Sequence, residues 1–158
     1  MREVRLSGVF VFILAVGAVA QEAPALRGVG AVKVLSTEIP KPKEVKVQGS
    51  AVAAEDALRE ALKASEIEIT NDARVRAHLV LDKISVVGSP RRRLLGIASG
   101  RSSVQGRLVL QDADGKELLN KKLNAENSIL SDPGFTSEAE NLMSELRRKI
   151  QEEIARQK

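Results

Sequence analysis

The chain has 158 residues, a formal net charge of +4 at pH 7 and no cysteine. Without cysteine it can form no disulfide, no thiolate metal site and no cysteine nucleophile. Phe135 is the only Phe, Tyr or Trp residue after position 20, so the aromatic platforms that hold single-stranded nucleic acids are absent, and we expect no nucleic-acid partner.

Residues 1–20 have the composition of a secretory signal peptide. Two arginines precede an apolar run that ends in Ala18-Val19-Ala20, a pattern that signal peptidases accept. We predict cleavage after Ala20 and a mature chain that starts at Gln21. The apolar run is shorter than the ~20 residues of a membrane span, so a retained anchor is the less favoured alternative. No later segment is apolar enough to cross a bilayer. We therefore expect a soluble exported protein, in a bacterial periplasm because an exported chain without disulfides suits that compartment.

The remaining residues are enough for one domain with a single core. Residues 21–42 contain prolines and glycines around the short apolar run AVKVL, which predicts an extended or flexible segment with one strand at most. Either AVKVL or EVKVQ is the first strand, because Pro40 and Pro42 prevent one continuous strand. Residues 43–158 are predicted to form a single α+β domain.

Helical spacing begins at Ser50, the predicted N-cap of a helix of about fifteen residues in which Glu55 lies one turn before Arg59. EIEIT and VRAHLVLDKISVV then alternate as strands do. The apolar phase of the second run slips after Asp82, which indicates either a bulge near Lys83 or a strand whose far end is covered on its other face. The apolar stripe of the helix consists of Ala54, Leu58, Ala61 and Leu62.

A hairpin and a long helix complete the chain. VQGRLVLQ and LLNKKLNAE alternate on either side of the turn DADGKE, which is a strong hairpin signal. Ser137 and Glu140 form a predicted capping box before the last helix. The order β-α-β-β-β-β-α predicts a two-layer α+β sandwich, with two helices on one face of a mostly antiparallel sheet of about four to five strands. The stripe of the last helix consists of Ala139, Leu142, Met143, Leu146, Ile150 and Ile154.

Three polar features are better explained by structure than by chemistry. His78 is the only histidine, and we expect a half-exposed strand residue, because one histidine makes neither a multi-histidine metal site nor a relay by itself. Asp112, Asp114 and Glu117 lie in a turn too short for a calcium loop. GIASGRSS lacks the spacing of a phosphate-binding loop, and a strand follows it. We therefore predict no catalytic, cofactor-binding or metal site and no cofactor.

The loop SPRRRLLGIASGR is the candidate contact site. Guanidinium groups bind phosphate and carboxylate groups, so this loop could contact anionic lipid or an acidic partner surface. In the structural alternative, which we favour, its leucines pack over the end of the core and its arginines are solvated. The residues concerned are Arg91, Arg92, Arg93, Leu94, Leu95 and Arg101.

Four segments together resemble a family of bacterial envelope proteins of unknown function. They are the helix ALREALKAS, the strand ARVRAHLVLDKI, the loop RRRLLGIASGR and the hairpin VQGRLVLQDADGKELL, and the likeness covers about residues 45–155. Family members are commonly lipoproteins, whereas this chain has no cysteine at the end of its signal. Their fold is similar to the amino-terminal domain of the Tol translocation protein and to envelope-assembly lipoproteins. The resemblance implies an envelope role without a known activity.

We expect an exported, non-enzymatic envelope protein, a periplasmic interaction or assembly module whose partner is another envelope protein. A binding or carrier domain for a lipid or small amphiphile is the alternative. It would need a deep pocket of Leu and Val side chains with arginines at its mouth. A hydrolase without a recognisable motif comes third and would need convergent polar groups with shifted pKa values.

Overall fold

The structure is a computed structural model, and it describes residues 24–45, 49–86, 102–126 and 138–158. The order of its helices and strands confirms the predicted succession, and AVKVL rather than EVKVQ supplies the first strand. In chain order the elements are β1 Ala31–Val34, a 3₁₀ helix Pro42–Glu44, α1 Ser50–Ala64, β2 Glu68–Ile69, β3 Val75–Ser85, β4 Ser103–Gln111, β5 Glu117–Glu126 and α2 Glu138–Gln157.

The five strands form one mixed sheet in the order β2-β1-β3-β4-β5. The β3–β4 and β4–β5 ladders are long and antiparallel, whereas β1 pairs with β2 and β3 through short parallel ladders. Parallel neighbours need a crossover, and α1 provides the one between β1 and β2. The sheet therefore combines a long antiparallel meander with a short parallel side.

The predicted bulge in β3 is present. The register between β3 and β4 shifts between Leu81 and Lys83, so Asp82 is the extra residue. Beyond the bulge, Ile84 is buried again. The slip of the apolar phase in the sequence therefore has the first of the two causes predicted for it.

Both helices cover one face of the sheet and contact each other, which confirms the predicted two-layer α+β sandwich. Ala77 and Leu79 of β3 belong to the core between the layers. The alanines of α1 let its backbone lie close to the sheet, because a methyl group keeps the two layers near each other. The buried residues of the two predicted helical stripes are Ala54, Leu58, Ala61, Leu62, Leu142, Leu146, Ile150 and Ile154.

The two helices run in the same direction. Glu60 of α1 pairs with Arg147 of α2. Further along both helices, the Lys158 ammonium group donates a hydrogen bond of 2.5 Å to the carbonyl oxygen of Ser65. Contacts at both positions keep α1 and α2 side by side along their length.

Both helices begin at the end of the sheet where β3 ends and β4 begins. Val45 bridges Ile84 near the end of β3, and α1 begins shortly afterwards at Ser50. Because α2 is parallel to α1, it begins at the same end. We call this the helix-start end, and the opposite end, which carries the turn 112–116, the hairpin end.

The start of α1 differs from the prediction. Ser50 is the first helical residue, and the N-cap is Gly49, whose φ is 76° and whose position has no side-chain cap hydrogen bond. A left-handed backbone favours glycine, and Gly49 takes the N-cap position. The prediction of Ser50 as N-cap is therefore wrong. The predicted pair is present, with the Arg59 guanidinium 2.7 Å from the Glu55 carboxylate.

The segment before residue 42 takes part in the fold. β1 has an interior position in the sheet, and Leu26 is buried. The backbone N–H of Leu26 donates to the Gln157 carbonyl oxygen at 2.9 Å, and that of Ala25 donates to Gln157 Oε1 at 3.0 Å. These bonds hold the start of the described chain against the end of α2.

Candidate docking groove

The predicted contact loop lies outside the described residues, as do the predicted signal peptide and Ser137 of the predicted capping box. The described residues on either side of the loop are Val86, which follows β3, and Ser102, which precedes β4, and both lie at the helix-start end. Its contact with an anionic surface stays a prediction. The loop residues named above are Arg91, Arg92, Arg93, Leu94, Leu95 and Arg101.

A groove lies between α1 and α2, on the side of the helix layer that faces away from the sheet. Its volume is about 270 Å³. We call it the α1–α2 groove. Its lining residues are Ala53, Asp56, Ala57, Glu60, Glu140, Met143, Ser144 and Arg147.

Small side chains keep the groove open. Ala53 and Ala57 are four residues apart and therefore lie above one another on the same side of α1. Ser144 lines the groove from α2, so small side chains face the groove from both helices. Met143 packs against the core and supplies the largest apolar surface of the groove.

The groove is acidic. Asp56, Glu60 and Glu140 bring three carboxylates and Arg147 brings one guanidinium, a formal charge of −2. The Arg147 guanidinium lies 2.5 Å from the Glu60 carboxylate, with the two side chains 45% and 57% exposed. An ion pair this exposed contributes about 0–1 kcal/mol. Asp56 is exposed and forms no ion pair with another described residue.

Val52 extends the apolar surface beside the groove. Its side chain is 65% exposed, more than any other large apolar side chain in the described part of the chain. It lies one helical turn before Asp56, so the two residues are neighbours on the surface of α1. The groove and Val52 together pair apolar surface with negative charge, a composition that suits a cationic polypeptide with apolar side chains.

His78 is buried, and the prediction of a half-exposed residue is wrong: it is 4% exposed. It lies on the sheet face opposite the helices, where Val80 and Val109 are buried too. Its Nε2 is 3.6 Å from Glu38 Oε1, which is too long for a hydrogen bond. Its Nδ1 has no hydrogen-bond partner among the described residues. A Ser-His-Asp relay needs both ring nitrogens engaged, so packing is the role that these contacts support.

The acidic turn is a turn, as predicted. Asp112 Oδ1 accepts hydrogen bonds from the backbone N–H groups of Asp114 and Lys116, each at 2.9 Å. Gly115 takes a left-handed φ of 84°, which glycine adopts without strain. Within the four described stretches, no group of three or more His, Cys, Asp or Glu side chains could hold a metal ion.

A charged cluster lies on the solvent-exposed side of α2. Arg148 Nε donates to Glu145 Oε2 at 2.8 Å, and Arg148 also donates to Glu152. The hydrogen bond from Arg148 lowers the pKa of Glu145 and raises the pKa of Arg148. The cluster ties successive turns of one helix together.

Sequence reasoning missed the groove. The periodic stripe of α1 draws attention to its core face, whereas Ala53, Asp56 and Ala57 occupy the neighbouring face. Two alanines one turn apart beside an acidic residue are the available signal. They become a concave site only when α2 packs alongside, and the pattern of one helix does not specify that packing.

The fold defines a class of two-layer α+β domains that is found in bacterial proteins of known structure. No protein-family model and no curated protein sequence matches the chain. A PelC dodecamer from Paraburkholderia phytofirmans is similar with a TM-score of 0.56 at 14% identity, over 81% of this chain and 86% of that chain. Hypothetical protein CT253 from Chlamydia trachomatis has a TM-score of 0.55 at 11% identity, over 80% and 94%.

Protein XCC0632 from Xanthomonas campestris, of family DUF330, has a TM-score of 0.49 at 10% identity, over 78% of this chain and 81% of that chain. At identities of 14% and 11%, the PelC and CT253 matches show a likeness of fold. Neither described helix has both the length and the apolar character that crossing a membrane requires.

Proposed function

We propose that this chain is an exported cell-envelope protein that acts by binding protein, as an interaction or assembly module, rather than by catalysis. The observation that carries the proposal is the α1–α2 groove, which is concave, acidic and built on two packed helices. Grooves with apolar floors are a recurring way in which folded domains bind polypeptide segments.

The remaining support comes from the sequence and from the fold. The composition of residues 1–20 supports export, and the resemblance to a family of bacterial envelope proteins supports an envelope partner. PelC, which has the same fold, forms a dodecamer, and this supports assembly as the mode of action. Because the chain has no cysteine, we propose that it carries no lipid at the end of its signal.

The carrier alternative receives less support from the groove. A carrier of an anionic amphiphile needs a deep Leu and Val pocket with arginines at its mouth, whereas alanine, methionine, serine and carboxylates line this groove. Carboxylates repel the head group of an anionic amphiphile. The lining therefore favours a cationic partner.

A hydrolase also receives less support. An activated nucleophile is held by a hydrogen bond to a base. Ser144 is the hydroxyl group in the groove, and among the described residues no His, Asp or Glu forms a hydrogen bond with it. Binding is therefore the function that the groove supports best.

Crosslinking in intact cells tests the proposal. The full chain carries an affinity tag after Lys158, and the crosslinked proteins are captured and identified by mass spectrometry. We expect envelope proteins, or further copies of this chain, and we expect Asp56→Lys to reduce their yield. Asp114→Lys in the exposed turn is the matched control and should change nothing. Equal yields for the parent and both variants would remove the groove as a docking site.

A further inference from the structure

We propose that the α1–α2 groove of one copy receives the basic segment 91–101 of a second copy. This inference rests on the proposed function and names the partner of the same groove. We infer self-association because the chain itself contains a segment whose charge is opposite to that of the groove and whose apolar residues fit its apolar surface.

The charges are complementary. The segment 91–101 carries four arginines and no acidic residue, a formal charge of +4, while the lining of the groove carries −2. Guanidinium groups bind carboxylates in a bidentate geometry. Asp56, which has no ion-pair partner among the described residues, is the carboxylate that would receive an arginine.

The apolar surfaces match as well. Leu94 and Leu95 directly follow three arginines in the segment. The groove offers Met143 and two alanines, with exposed Val52 beside it. Its volume of about 270 Å³ exceeds the roughly 150 Å³ cavity in which a benzene molecule fits, so a leucine side chain can enter.

The segment is joined to the domain through Val86 and Ser102, and the adjoining ends of β3 and β4 lie at the helix-start end of the sheet. The groove of a second copy can approach this end directly, so we place the contact between copies.

The contact joins two different surfaces, the helix-start end of one copy and the helix face of the other. A reciprocal exchange between two copies gives a twofold dimer, whereas a contact in one direction gives rings or filaments. Either arrangement is self-association through the same residues.

The absence of cysteine makes a site-directed crosslink unambiguous. One exported and purified chain carries Ala53→Cys and one tag, and a second carries Leu95→Cys and another tag. After mixing and oxidation we expect a crosslinked pair that carries both tags. Asp114→Cys in place of Ala53→Cys is the matched control and should give no such pair.

Charge reversal is the second measurement. In sedimentation velocity, Asp56→Arg should weaken self-association roughly tenfold, since it replaces one attraction with a repulsion. Arg92→Glu should do the same. A mixture of the two variants should regain association, because the unchanged groove of one variant matches the unchanged segment of the other, and the two reversed surfaces match each other as well.

Three outcomes would overturn the inference. In the first, the chain assembles or captures envelope partners but gives no mixed crosslink, so the proposed function survives without this contact. In the second, a chain that carries both cysteines crosslinks only within itself. In the third, changing Arg91, Arg92 and Arg93 together to Gln abolishes binding to anionic lipid vesicles while Asp56→Arg leaves self-association unchanged, which makes the segment a lipid contact. A parent that stays monomeric and captures no protein would remove the proposed function as well.

Discussion

At the scale of single residues, Gly106 marks a close approach between two strands. A Cβ atom at this position would lie 2.5 Å from the carbonyl oxygen of Val80, a backbone atom that cannot turn aside. We expect Gly106→Ala to lower the free energy of unfolding by about 1–3 kcal/mol, the usual cost of overpacking. Gly30→Ala is the matched control, because nothing lies within 4 Å of its added methyl group. Urea denaturation measures both, and equal losses would contradict the steric explanation.

His78 shows what alternation predicts and what it leaves open. Ala77 and Leu79 lie in the core between the layers, so the face of each side chain in β3 could be read from the sequence. Burial on the opposite face could not, because it depends on what packs there. Val80 is buried on that face together with His78, so alternation gave the side of the strand correctly and the exposure wrongly.

At the scale of elements, α2 supplies half of the helix layer. Leu146 is 1% exposed in the core, so Leu146→Asp would bury a charge and should cost about 3–5 kcal/mol. This approaches the whole stability of a small domain. Gln151→Asp, on the exposed side of the same helix, should cost little. Thermal melting by circular dichroism compares them, and a Leu146→Asp variant that melts like the parent would mean that the stripe does not face the core.

The Glu145–Arg148 pair gives α2 a predictable response to acid. The hydrogen bond from Arg148 holds the pKa of Glu145 below its ordinary 4.5 in the folded state. The stabilisation that this pair gives the folded state is therefore fully present above about pH 4.5. It is lost as the pH falls through the lowered pKa of Glu145.

We expect Arg148→Gln to be less stable than the parent at pH 7, with the difference shrinking at pH 3. Urea denaturation at both pH values measures it. A difference of the same size at pH 3 would show that the guanidinium acts by packing and not by charge.

Some elements could be predicted because their signals are local. The hairpin, the bulge at Asp82 and the apolar stripe of α2 are each specified by residues that are close together in the sequence. The position of β1 between β2 and β3 depends on partners far along the sequence. The α1–α2 groove is harder still to predict, because Ala57 and Ser144 lie on helices separated by four strands.

At the scale of the whole molecule, export and removal of the first twenty residues can be tested directly. Cleavage after Ala20 should give an exported protein whose intact mass starts at Gln21, recovered with soluble periplasmic contents. Mass spectrometry of protein from an osmotic-shock fraction measures this. A mass that still includes residues 1–20 would contradict cleavage, whereas recovery from the cytoplasm at full length would contradict export itself.

The hydrogen bond between Ala25 and Gln157 has a practical consequence for fluorescent labels. It holds both ends of the described chain at the hairpin end. A fluorescent protein fused at either end therefore lies away from the helix-start end and leaves that end accessible. Dyes attached near Pro24 and Lys158 would sit side by side in the native protein. Resonance energy transfer between them should therefore be high while the domain is folded and should collapse when α2 detaches.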